Sequence, residues 1–136
     1  MKDFKGEIQY KGTKYDLVFD LNVLEKIQDE YGTLEKWADL TDGAEVVLDE
    51  DGVPVVEDGK EVTKPKEVNA KALKFGIWCM INEGIEIKNE DENADIKPIT
   101  KNQVGRMITE LGLNQMSNVV SDTVINSNAG DEEKNV

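Results

Sequence analysis

The residue types that most often carry out reactions are scarce in this chain. Its 136 residues include no His, and Cys79 is its one cysteine. A serine or cysteine nucleophile of the triad type needs an imidazole base. Zinc sites built from Cys and His are excluded, and so is an internal disulfide. What remains is carboxylate: 29 acidic side chains against 16 basic ones, a formal net charge of −13. Paired carboxylates do acid–base work when apolar surroundings raise one of the two pKa values. No pair here has such surroundings in the sequence. Two stretches hint at cations. In 47–58, Asp49, Asp51 and Gly52 match three positions of an EF-hand loop, but Val47 stands at the first ligand position and Asp58 at the twelfth. That stretch reads as a polar turn. Glu90, Asp91, Glu92 and Asp95 read as a solvated acidic loop. The expectation is a non-enzyme with no cofactor and no metal.

Chemistry of contact is better represented. Trp37, Phe75 and Trp78 are the large aromatics outside the N-terminal region. Core packing is the ordinary role of such residues, and anchoring a partner is the alternative. All three are candidate partner-binding residues. Cys79 lies inside an apolar run and reads as a buried, inert thiol.

The elements that position these residues follow from periodicity. Phe4, Ile8 and Tyr10, then Tyr15, Leu17 and Phe19, alternate as in a β-hairpin. A turn at Gly12-Thr13 would set Tyr10 opposite Tyr15, Ile8 opposite Leu17 and Gly6 opposite Phe19. Asp20 can cap a helix over 21–31 that Gly32 stops, and Thr33 a short helix carrying Leu34, Trp37 and Ala38. Residues 45–57 can form a small hairpin around Asp51-Gly52, pairing Leu48 with Val55. A third helix is expected from Pro65 to about Asn82, with Gly84 beyond it. Its centre, ALKFGIWCMI, is apolar on nearly every side, so it is either the central core helix or a helix with one face on a partner. That second face makes self-association an expectation. Thr100 and Gln103 form a capping box, with Ile99 able to staple to Val104. Val104, Ile108 and Leu111 stripe the helix that follows, and Gly112 ends it. Met116, Val119, Val120 and Val124 mark a last helix over 115–126. The fold class is α+β: an N-terminal antiparallel β-hairpin, with a second small hairpin, on a body of four to five helices. The expected domain spans 1–127, with a disordered tail over 128–136.

Charge is uneven. Residues 42–61 and 86–97 together carry 10 of the 13 net negative charges, and both are expected to be loops. This balance argues against binding nucleic acid or anionic membranes. No apolar run reaches the ~20 residues of a membrane span. The start, MKDFKGEIQY, has no signal-peptide character, which points to the cytoplasm.

Three stretches in order resemble a protein family: KYDLVFDLNVLEKIQDEYGTLEKW at 14–37, ALKFGIWCMINEG at 72–84, and PITKNQVGRMITELGLNQMSNVVSDTV at 98–124. Read together, they look like a tail assembly chaperone of a long-tailed bacteriophage or prophage. The resemblance implies a non-catalytic protein of the host cytoplasm, absent from the mature virion. It would hold the tape measure protein soluble and help the tail tube protein to polymerise around it. A small acidic protein with some exposed apolar surface suits that task. The alternatives are an acidic mimic of DNA that inhibits a host enzyme, and a structural component of the tail.

Overall fold

A computed structural model describes residues 5–127; Phe4 and the expected tail over 128–136 lie outside the described residues. The architecture is α+β, as expected. The elements in order are β1 (Lys5–Tyr10), β2 (Thr13–Val18), α1 (Leu21–Tyr31), α2 (Leu34–Thr41), four short strands β3 (Ala44–Val46), β4 (Val56–Glu57), β5 (Lys60–Glu61) and β6 (Thr63–Pro65), then α3 (Ala70–Glu92), α4 (Lys101–Leu111) and α5 (Leu113–Ile125).

The hairpin forms, but in a different register from the expected one. Ile8 faces Tyr15, Gly6 faces Leu17, and Tyr10 faces Thr13. The two turn residues are Lys11 and Gly12, both with positive φ (51° and 77°). This is the type I′ pattern, whose twist matches that of the strands. The slip is by two residues, so every apolar side chain keeps its face. Alternation therefore could not choose between the two registers. Ile8, Leu17 and Phe19 are buried on that face.

α3 is the central element, packing against β2, α1, α2, α4 and α5. Two glycines let neighbours approach it. A Cβ on Gly76 would overlap the Trp37 indole, and one on Gly84 would sit 2.9 Å from the Asp16 backbone oxygen. Gly84 therefore does not stop the helix. It lies inside α3, where β2 crosses, and the helix runs on to Glu92. Residues 86–92 are helix rather than loop. The start also moves: Pro65 ends β6, and Asn69 caps α3 with its side chain accepting from Ala72 N at 2.9 Å. Pro65 has no N–H to offer a ladder, which suits the margin of a two-stranded sheet.

The acidic stretch 42–61 is a β-flap rather than a loop. β3 pairs with β6, and β4 with β5 across Asp58-Gly59, again with both φ positive. Around Asp51-Gly52 the chain turns as expected, but Leu48 bridges to Pro54, not Val55. Asp49 explains the shift. Its Oδ1 accepts from Asp51 N (2.9 Å) and Val53 N (3.0 Å), tightening the turn.

The remaining caps are as expected. Asp20 accepts from Val23 N, and Thr33 from Lys36 N. Thr100 and Gln103 satisfy each other's backbone in a capping box. Gly112, at φ 103°, both ends α4 and precedes α5, so the final helix starts at Leu113, earlier than expected.

Candidate functional site

On α3, Lys71, Lys74, Phe75 and Trp78 fall at the spacing that shares one helix face. Leu73, Ile77, Met80 and Ile81 point the other way, into the core. The exposed face is met by α4, whose start is tied down from α3. Trp78 Nε1 donates to the Ile99 backbone oxygen at 3.1 Å. Asn82 bonds the same residue twice, donating to its oxygen (3.1 Å) and accepting from its N–H (2.8 Å). With Ile99 fixed, Lys101 lies two residues on, its Nζ 4.6 Å from the Trp78 ring centroid and 5.6 Å from that of Phe75. These are cation–π distances. Tyr31, at the end of α1, meets Phe75 edge-on with centroids 5.7 Å apart, and Phe75 meets Trp78 at 5.9 Å.

The result is a groove of about 740 Å³ between α3 and α4. Tyr31, Phe75, Ile108 and Leu113 give it an apolar lining. Lys71, Lys74 and Lys101 give it positive charge, with Glu30 the one acid among the lining residues.

Of the three aromatics singled out as anchors, two meet here. Phe75 and Trp78 are half-buried neighbours. Trp37 is a core residue, 1% exposed, with its Nε1 donating to the Ala72 oxygen at 3.0 Å and its ring seated on Gly76. It offers no surface, because α2 lays it directly against α3. Tyr31 and the three lysines were missed as a group. For Lys71 and Lys74 the signal was the spacing 71, 74, 75, 78, which marks a lysine–aromatic face rather than a uniformly apolar helix; Tyr31 and Lys101 lie on other elements, and only packing brings them there.

One carboxyl pair was also missed. Glu83, on α3, is 5% exposed and lies beside Asp20, the residue that caps α1. The Asp20 carboxylate, helped by burial, pushes Glu83 up to about 7, while a hydrogen bond from Asn22 Nδ2 (3.0 Å) pulls the other way. The pair binds α1 to α3, and Glu83 does not line the groove. Cys79 is buried as expected, and burial pushes its thiol up to about 11. That disfavours the reactive thiolate.

For metal, the described residues contain no group of three or more Cys, Asp or Glu arranged to hold an ion. Asp49 serves the backbone of its own turn. Glu90, Asp91 and Glu92 are exposed on the last turn of α3. The geometry is an apolar floor with an aromatic cluster and a charged rim. Compared with known proteins, the chain matches no family model, no curated protein and no solved structure.

Proposed function

We propose that this chain is a non-catalytic binding protein, a tail assembly chaperone of a long-tailed phage or prophage. It holds helical segments of the tape measure protein soluble in the host cytoplasm and assists the tail tube protein to polymerise around them. One observation carries the reading: the half-buried cluster of Tyr31, Phe75 and Trp78 at the edge of an apolar groove between two helices. Such clusters are where binding energy concentrates. The three-stretch resemblance supplies the identity of the partner.

Co-expression with the tape measure protein tests it. That protein is expected to be soluble and to co-purify with the chain, and to aggregate without it. A tape measure protein equally soluble alone would remove the basis of the proposal. Purified particles should lack the chain; finding it there in stoichiometric amount would favour a structural tail component. The DNA-mimic reading gains something from the ordered flap, since a mimic needs carboxylates on a fixed scaffold. Displacement of duplex DNA from a host enzyme by the chain would support that reading instead.

A further inference from the structure

Two features of the groove go beyond what the fold requires, although Lys101 also lies over the Phe75 and Trp78 rings. The first is Gly105, in the interior of α4, where glycine costs about 1 kcal/mol relative to alanine. Gly76 and Gly84 are required by the neighbours that press on them. A Cβ at Gly105 would meet only the flexible Lys74 stem, 3.4 Å from its Cδ. The fold gains nothing from glycine there, and the groove gains depth. The second is charge. In a chain of net charge −13, this groove is lined by Lys71, Lys74 and Lys101 against the single acid Glu30.

We infer that the α3–α4 groove takes an amphipathic helix of a partner polypeptide, its apolar ridge over Phe75 and Ile108, its backbone close to Gly105, and acidic side chains reaching Lys71, Lys74 and Lys101. The lining residues recur one turn apart on both walls, at 71, 74 and 75 on α3 and at 101, 105 and 108 on α4. Such walls receive the ridge of a third helix. A small residue at the contact lets two helix backbones approach. The lysines choose the sign of the helix flanks and steer its arrival. This deepens the proposed function only in assuming that the partner is a polypeptide; it specifies the chemistry of the segment that docks.

The test uses the full chain and two synthetic helical peptides of about 15 residues, long enough to overrun the groove walls. They share one apolar stripe, flanked by Glu in one peptide and by Lys in the other. Binding is read by titration calorimetry and by backbone amide shifts. The Glu-flanked peptide is expected to bind about ten-fold more tightly than the Lys-flanked one, from three ion pairs gained against three repulsions. Shifts should centre on α3 and α4. The triple variant Lys71→Glu, Lys74→Glu, Lys101→Glu should invert the preference. Gly105→Leu, which raises helix propensity and should leave urea stability intact or higher, should abolish binding. Equal affinity for both peptides, shifts away from the groove, or unimpaired binding by Gly105→Leu would each overturn the inference. So would saturation of the groove by laurate with no response to either peptide, which would assign it to a small amphiphile. The two readings fail separately. A tape measure protein that co-purifies equally with wild type and Gly105→Leu sinks the groove assignment but not the chaperone reading. Peptide binding as expected without tape measure binding does the reverse.

Discussion

Gly76 and Gly105 occupy helix interiors and answer to different neighbours, so the same substitution should act oppositely at the two. Gly76→Ala drives a Cβ into the Trp37 ring and is expected to cost about 1–3 kcal/mol in urea denaturation. Gly105→Ala meets only a lysine stem and should stabilise by about 0.5–1 kcal/mol. A loss of stability at Gly105 would mean that the fold itself needs that glycine. Glu83 supplies a pH-dependent test. Its folded pKa lies near 7, whereas an unfolded Glu titrates near about 4.3. The stabilisation from its proton is therefore full below the unfolded value and is lost as pH rises through the folded one. Glu83→Gln keeps an N–H for Asp20 and a carbonyl for Asn22 but cannot ionise. Relative to wild type, its stability should rise between about pH 5 and 8 by on the order of 1–2 kcal/mol. A difference independent of pH would refute the shared-proton account of the pair. At this scale the sequence was only partly readable. The thiol of Cys79 was legible because it stands in an apolar run. The Asp20–Glu83 pair was not, because 63 positions separate the two and only the packing of α1 on α3 joins them.

Elements were most legible where a local signal ends them. The caps at Asp20, Thr33 and Thr100 and the stop at Gly32 all act as their residue types suggest. The misread boundaries have tertiary causes. Gly84 looks like a stop, yet it is where β2 crosses α3. Pro65 looks like a helix start, yet it pairs with Ala44. The segment after α3 shows a device that periodicity cannot reveal. Asn89 makes two hydrogen bonds to the backbone of Ile96, as Asn82 does to Ile99. Seven helical residues rise about 10.5 Å and three extended residues span about 10 Å, so the two asparagines pin a strand-like return along the helix. Asn82→Ala is expected to cost about 1–3 kcal/mol, because its bonds are partly buried, and to speed amide exchange at Ile99. Asn89→Ala, at the exposed end, should cost less. Equal effects would show that burial does not set the strength of these pins.

Across the whole molecule, a chain of net charge −13 presents a groove of opposite charge, and the fold leaves its aromatic cluster half-covered beside that groove. The sequence showed the excess of acid and the apolar helix. It did not show that 71, 74 and 75 would face 101, 105 and 108, because that juxtaposition depends on Trp78 and Asn82 holding Ile99 against α3. Nor could it show that Trp37 turns inward while Phe75 remains at the surface, since both lie on amphipathic helices. The central claim, that this chain acts by gripping another polypeptide through the α3–α4 groove, is tested most directly by Phe75→Asp. The variant places a charge on the groove floor without touching the buried face of α3. Co-expressed with the tape measure protein, wild type should retain it in soluble form. Phe75→Asp, folded by circular dichroism, should lose it to the pellet. Equal retention by both proteins would contradict the account.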